Sequence, residues 1–347
     1  MNHHNINMHG ALGRVAEGQD LSTDEMQAVM RQVMSGEATD AQIGAFLMGM
    51  RLKGETIDEI TGAVMVMREL SRGVKVAGEH VVDIVGTGGD GANLFNISTA
   101  SAFVVAAAGG RVAKHGNRSV SSSCGSADVL EAAGIRLGLE PEQVAKCVAD
   151  IGVGFMFAPA HHSAMKHAIG PRKELGVRTL FNILGPMTNP AGVDRLLIGV
   201  YDKALCRPVA EVLNRLGARH VMVVHSDDGL DEISIAATTH IAEARSGELT
   251  DFVITPDSLG VATGSLSGLE VNSAAESLAL IRAAMTGDDS DVSNRARDII
   301  ALNAGAALHV AGLAPDIRAG VTTAMALLES GAAWERINSL AEITSGF

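Results

Sequence analysis

Three stretches near the start of the chain carry apolar residues at helical spacing. Met30, Val33 and Met34, then Ile43, Phe46, Leu47 and Met50, then Ile60, Val64 and Met67 recur every three or four positions, the period of one face of an α-helix. Ahead of each stripe stands a Ser or Thr with Glu or Gln three residues later: Ser22 and Glu25, Thr39 and Gln42, Thr56 and Glu59. In that pattern each side chain bonds the other residue's backbone N–H, satisfying donors that a helix start leaves open. Residues 21 to about 72 therefore read as at least three short helices. Their core is small, and the surplus apolar surface predicts contact with the rest of the chain or with a second subunit. The opening MNHHNINMHG reads as an unstructured tail, its His3, His4 and His9 notwithstanding.

From residue 81 the pattern changes. The β-branched run 81–85 reads as a buried strand, and it enters Gly86-Thr87-Gly88-Gly89-Asp90-Gly91 directly. Small apolar residues 100–108 then read as a helix ending at Gly109-Gly110, and 111–113 as a short strand. Further on, 126–134, 141–151, 161–169, 204–216, 274–285, 293–310 and 315–330 read as helices. Strands are predicted at 153–157, 196–201 and 220–225, with short ones at 238–243, 251–254 and 266–269. A strand, helix, strand succession implies right-handed parallel crossovers. The fold class is thus α/β: a small all-helical N-terminal domain beside a larger α/β domain with a mostly parallel central sheet flanked by helices.

The chain has 347 residues, enough for one large domain and one small one. Aromatics at 3%, against 47% hydrophobic residues, favour helices packed closely on a parallel sheet over a β-sandwich. A net charge of −13 argues against a general nucleic-acid binder, whose affinity depends on a basic surface. Three cysteines, an odd number without paired ligand spacing, argue against a disulfide framework or a zinc site and fit a reducing cytoplasm. No apolar run approaches the length of a membrane span, and the first residues lack a signal-peptide core.

Four segments carry candidate chemistry. The glycine loop 86–91 leads to Asn96, Ile97, Ser98 and Thr99 at a helix start, where unpaired N–H groups and the helix dipole form an anion cradle. A second polar loop follows, Lys114-His115-Gly116-Asn117-Arg118-Ser119-Val120-Ser121-Ser122, rich in phosphate donors. Two such loops imply a ligand with phosphates at both ends. Asp227, Asp228, Asp231 and Glu232 follow strand 220–225, on the edge where parallel sheets bind ligands, and Asp231 with Glu232 can hold Mg²⁺. In 171–186, Arg172 or Arg178 can grip a planar carboxylate at two points. His161, His162 and His167 are candidate bases, with a structural role as the alternative.

GTGGDG, FNIST, KHGNRSVSS, GSADVLEAAG, FAPAHHSAMK, PRKELGVRTLFNILGPMTNPAG and DGLDEIS together resemble the anthranilate phosphoribosyltransferase family, from about Leu21 to the end of the chain. The resemblance implies a nucleoside phosphorylase-like phosphoribosyltransferase fold. It places a helical dimerisation domain at 1–76, completed by helices near 165–185, and a catalytic domain at 77–347. It implies a cytoplasmic homodimer that uses Mg²⁺, 5-phosphoribosyl 1-diphosphate and anthranilate in tryptophan biosynthesis. Gly86, Gly89, Asp90, Asn96, Ile97, Ser98 and Thr99 match the family's diphosphate loop; the segment from Lys114 to Ser122, with Ser126, matches its ribose-phosphate loop. Ser98, Asp231 and Glu232 match metal ligands, and Gly86, Asn117, His162 and Arg172 match anthranilate contacts, with His115 and Pro186 along the same channel. Lys114, Arg172, Asp231 and Glu232 are the residues expected to act in catalysis. Departures from the family pattern fall at Leu94, Ser123-Cys124 and Ser163. Two rivals share the fold, a pyrimidine nucleoside phosphorylase and a nucleic-acid-binding paralogue; the acidic pair in DGLDEIS disfavours the first and the net charge the second.

Overall fold

Four capped helices open the chain: α1 (Met8–Ala16), α2 (Thr23–Ser35), α3 (Asp40–Lys53) and α4 (Ile57–Glu69). The structure is a computed structural model and describes residues 6–118 and 123–347. The three capping boxes all form, Ser22 with Glu25, Thr39 with Gln42 and Thr56 with Glu59. Glu59 does more than cap. Its buried carboxylate also accepts from Lys53 Nζ at 2.9 Å and from the Leu21 amide at 2.8 Å, tying three parts of the bundle together. Helix α1 corrects the tail reading: Asn7 caps it, and Met8, Ala11 and Val15 are buried at helical spacing.

The chain then builds a sheet from its middle outward. β1 (Val81–Gly86), α5 (Ile97–Ala107), β2 (Arg111–Gly116), α6 (Ser126–Ala132), α7 (Pro141–Asp150) and β3 (Val153–Phe157) extend it to one side. The chain next leaves for α8 (Ala158–His161), α9 (Lys166–Leu175) and α10 (Leu180–Leu184). Here α9 packs on α2 and α3, and α10 on α3 and α4, so this excursion joins the opening helices. The predicted helix 161–169 is broken at His162, whose backbone is non-helical (φ −117°, ψ 55°), with a tight turn at Ser163–Met165. The other side of the sheet is β4 (Arg195–Gly199), α11 (Cys206–Arg215), β5 (His220–Ser226), β6 (Thr239–Arg245) and β7 (Glu248–Ile254). Finally α12 (Ala274–Met285), α13 (Asp291–Ala311), α14 (Ile317–Glu329) and α15 (Ala332–Ser345) cover it.

The strand order is β3-β2-β1-β4-β5-β6-β7, with β1 to β5 parallel and β6 and β7 antiparallel. Ser246 (φ 52°) and Gly247 (φ 89°) form the two-residue turn of the last hairpin, with the positive φ values that the strand twist favours. The expected strand 266–269 is instead a turn beside the isolated bridge between Leu94 and Glu270. Helix α13 is buried on every face from Ile299 to Ala311, as a helix at the centre of a large core must be. A β-carbon on its Gly305 would stand 2.5 Å from the Val321 amide, so α13 and α14 meet backbone to backbone. Among the described residues no helix is long and apolar enough to cross a membrane.

Candidate active site

The strand order reverses between β1 and β4, one strand leading to β2 and β3, the other to β5. Such a switch point opens a crevice at the C-terminal ends of the strands. Gly86 and Gly199 are register partners there. A β-carbon on Gly86 would lie 2.5 Å from Asp231 Oδ2, and one on Gly199 only 1.5 Å from the Asp231 carbonyl oxygen. Two glycines side by side therefore make the notch that seats Asp231. Gly199 carries no motif of its own; only the pairing of the two strands reveals it.

The glycine loop folds over this notch. Gly88, Gly89 and Gly91 have φ of 65°, 81° and 77°, conformations that side-chain-bearing residues rarely adopt. The Gly88 amide donates to Asp231 Oδ2 at 2.7 Å. Asp90 lies close enough to Asp231 to raise its pKa. Burial is the larger cause, and together they push the Asp231 carboxyl up to about 7. Glu232 is raised well above the usual range, first by burial and then by Asp231, while Lys114 opposes the shift. Three carboxylates thus crowd one crevice without enough positive charge to keep all of them ionised. The Ser98 amide, at the start of α5, donates to Glu232, and the Ser98 hydroxyl accepts from Lys114 Nζ at 3.3 Å. A hard cation fits the chemistry of this set: its donors are oxygens, and its charge would relieve their mutual repulsion.

Lys114 sits beneath the loop, only 3% exposed, with its ammonium also donating to the Ile84 carbonyl. Burial lowers its pKa, and the neighbouring Asp83 and Glu232 carboxylates counter that. Asp83 is fully buried on β1 and accepts from Asn189 Nδ2 at 2.7 Å and from the His115 amide at 3.2 Å. Burial raises its pKa to about 6 despite Lys114. Neither Asp83 nor Asn189 stands out in the sequence, since each lies outside a polar cluster.

The second loop leaves β2 at Gly116, where a β-carbon would meet Ser126 Oγ at 2.3 Å. The Asn117 carbonyl accepts from Ser126 Oγ at 3.4 Å, and its side chain accepts from the Arg118 amide at 2.7 Å. The Arg118 guanidinium turns to Asp128 and Glu131 of α6. Ser119, Val120, Ser121 and Ser122 lie outside the described residues. On the first loop, Asn96 is held by Ser277, which donates to its Oδ1 at 2.8 Å, and it donates to the Cys124 carbonyl. Ile97 is buried, and the buried Thr99 hydroxyl has no hydrogen-bond partner among the described residues. Two of the departures stay in the frame around this loop: Leu94 bridges to Glu270, and Ser123 Oγ donates to the Val271 carbonyl at 2.6 Å.

Further candidates lie on α9 and α10, and on β2, whose His115 is hydrogen-bonded to the Gly185 backbone just after α10. Arg172 is half-buried with its guanidinium over the Phe181 ring, 5.1 Å from the centroid. No carboxylate pairs with it among the described residues, and burial lowers its pKa. Arg178 instead reaches the glycine loop, donating to the Gly89 carbonyl and stacking on Tyr201 at 4.0 Å. His115 and His162 stand 5.1 Å apart, ring to ring, and neither Nε2 has a partner among the described residues. Burial holds both neutral, His115 at about 3 and His162 at about 4, helped by their mutual proximity in the case of His115. His161 is different: its Nδ1 bonds the Arg72 carbonyl at 2.7 Å, away from the crevice.

The crevice thus carries an oxygen-donor pole over the notch, while Arg172 over Phe181 and the two imidazoles form two further groupings of candidate residues. Comparison with known proteins identifies the chain's relatives. Residues 10–71 match the helical bundle domain of a glycosyl transferase family, and residues 78–334 match its a/b domain. The anthranilate phosphoribosyltransferase of Marinobacter nauticus is 64% identical over 99% of this chain and 100% of its own length. The crystal structure of the Thermus thermophilus anthranilate phosphoribosyltransferase superposes with a TM-score of 0.90 at 39% identity, covering 96% of this chain and 99% of that one. The Saccharomyces cerevisiae enzyme, in complex with PRPP and Mg, shares the fold with a TM-score of 0.86 at 24% identity, covering 98% of each chain.

Proposed function

Because this chain belongs to the anthranilate phosphoribosyltransferase family, we propose that its crevice transfers the phosphoribosyl group of 5-phosphoribosyl 1-diphosphate to the amine of anthranilate, the reaction that serves tryptophan biosynthesis. The observation that carries this reading is the set of buried carboxylates, helix start and glycine loop at the notch, supported by Arg172 over Phe181, which has no carboxylate partner among the described residues. Ser98, Asp231 and Glu232 would hold Mg²⁺, with Asp90 close by; bound there, the ion would supply positive charge to the diphosphate.

The protein's own residues do the rest. Anthranilate's amine is neutral with a free lone pair, so the reaction needs charge stabilisation more than a general base. The amides of residues 86–89 and of the α5 start take up charge developing on the leaving diphosphate. Lys114 acts from below, holding Ser98 and offsetting Glu232. The second loop, from Lys114 to Ser122 with Ser126, receives the ribose phosphate. Arg172 grips the anthranilate carboxylate, Phe181 backs its guanidinium, and Gly86, Asn117, His115 and His162 line the approach; the amine then faces C1 and displaces diphosphate with inversion. Neutral imidazoles suit this channel, because a cation there would compete for the carboxylate.

We further infer a cytoplasmic homodimer formed through the helical part, taken as residues 1–76 completed by 165–185. Leu52 is 76% exposed and Ile169 57% exposed on helices α3 and α9, which pack together. The test of function is loss of anthranilate fluorescence on mixing protein, anthranilate, 5-phosphoribosyl 1-diphosphate and Mg²⁺, with EDTA as control. Loss requiring every component, with one diphosphate released per anthranilate, is the expected result. Turnover of uridine or thymidine with inorganic phosphate, without anthranilate transfer, would favour a nucleoside phosphorylase instead.

A further inference from the structure

At the end of the sheet opposite the glycine notch, three side chains from three elements converge. His220 opens β5, Glu243 lies diagonally across from it on β6, and His309 stands in the last turn of α13. His220 Nε2 is 2.6 Å from Glu243 Oε1, and His309 Nε2 is 3.6 Å from the same oxygen. All three donor atoms lie within 4.8 Å of one another. We propose that His220, Glu243 and His309 form a transition-metal site, suited above all to Zn²⁺, unrelated to the Mg²⁺ pole of the crevice.

Three observations support the assignment. Zn²⁺ holds nitrogen and oxygen ligands at about 2.0–2.1 Å, which puts tetrahedral neighbours about 3.3 Å apart; the two distances to Oε1 bracket that spacing. The His309 Nδ1 faces the Ala314 carbonyl at 3.1 Å and must donate to it, so Nε2 carries the lone pair, the orientation that outer partners impose on metal-bound imidazoles. Finally, both imidazoles line a cavity of about 450 Å³, which gives an ion a way in and leaves a fourth position open to solvent.

The same cavity selects the kind of ion. Arg195, Arg219 and Arg245 line it too. Arg195 is partly occupied by the Val310 carbonyl at 2.7 Å, and Arg219 by Asp194 at 3.4 Å. Their charge works against a hard cation held by electrostatics alone, such as Mg²⁺ or Ca²⁺. A borderline ion bonded by two imidazoles tolerates it better. An anion from solution would complete the coordination, drawn by the guanidiniums. The bound ion would pin β5, β6 and α13 together.

The test is Co²⁺ titration of the chelator-treated full-length protein, carried in a His3→Gln/His4→Gln background so that the first histidines do not compete. Four-coordinate Co²⁺ with nitrogen ligands absorbs visibly far more strongly than six-coordinate Co²⁺ on oxygens, so the Asp231 pole does not interfere. The expected result is one equivalent of strongly absorbing Co²⁺, displaced by Zn²⁺. Glu243→Gln and His309→Gln should each weaken Zn²⁺ at least tenfold, since removing even an outer partner of a ligand costs about 10- to 100-fold, while transferase activity stays unchanged. Anomalous diffraction from Zn²⁺-soaked crystals of the unaltered protein gives a second reading that does not depend on a variant folding; the peak belongs between the three side chains. No absorbing equivalent, absorption that survives both substitutions, or an anomalous peak only at Asp231 would overturn the assignment.

Discussion

Single residues in the crevice act through charge that has been left uncompensated. Asp231 illustrates the cost. Its carboxyl titrates near 7 when folded against 3.8 as the reference value, so the folded state holds a proton that the unfolded state releases across this window. Metal-free stability should therefore fall as pH rises from about 4 to 7. Asp231→Asn keeps an acceptor for the Gly88 amide and removes the charge. At pH 8 without Mg²⁺ it should stabilise the protein by roughly 1–3 kcal/mol after allowance for partial exposure, and at pH 4 it should change little. Chemical denaturation at both pH values checks this; equal effects would mean that the shift is not seated at Asp231. Arg172 is the complementary case in the proposed reaction, a cation with no carboxylate partner among the described residues. Arg172→Ala should raise the KM for anthranilate about 10- to 100-fold, the value of one or two charge-assisted hydrogen bonds, with kcat nearly preserved. Asp83 lies behind Lys114 as its buried counter-charge. Asp83→Asn should move the alkaline limb of the kcat profile to lower pH, because Lys114 then loses its proton more readily; an unmoved limb would leave Asp83 a purely structural role.

Elements are where the sequence was most and least legible. The three capping boxes could be read directly because each is local, a Ser or Thr and a Glu or Gln three residues apart, and all three form as written. Thr56→Ala should cost about 1 kcal/mol, and more if the buried Glu59 carboxylate loses alignment with Lys53. Helix α1 is equally local, with Asn7 ahead of Met8, Ala11 and Val15, but its apolar stripe opens only at Met8, behind a polar run that reads as a tail. Non-local features were illegible. Gly199 matters only because β1 and β4 pair, bringing its α-carbon beside the Asp231 carbonyl, and Asn189 only because its amide reaches Asp83 across the sheet. Gly199→Ala should destabilise by about 3 kcal/mol through overpacking against backbone. It should also abolish stabilisation by Mg²⁺, measured as the shift in thermal midpoint. Gly44→Ala in α3, where a β-carbon meets nothing within 4 Å, is the control and should stabilise slightly. If the two substitutions behave alike, the notch is not the constraint proposed for it.

The whole molecule joins these scales by setting two bodies against each other across one crevice. The sheet supplies the notch and the glycine loop, the helical part supplies α9 with Arg172, and Arg178 bridges them, its carbonyl accepting from Arg51 of α3 while its guanidinium rests on Gly89. The resemblance in the sequence motifs implies both domains, both substrates and Arg172 at anthranilate; the structure adds that Arg178 lies on the glycine loop and Arg172 over Phe181. Light scattering should find a dimer, and Leu52→Asp with Ile169→Asp should shift it toward monomer if the exposed apolar residues of the helical part form the contact. The division of labour between poles is the central claim, and the most direct measurement is the pair of KM values, for anthranilate and for 5-phosphoribosyl 1-diphosphate, in Arg172→Ala and in Asp231→Asn. The account predicts a crossed pattern: Arg172→Ala raises KM for anthranilate alone, and Asp231→Asn weakens the diphosphate substrate and shifts the Mg²⁺ dependence alone. Both variants raising the same KM would contradict it.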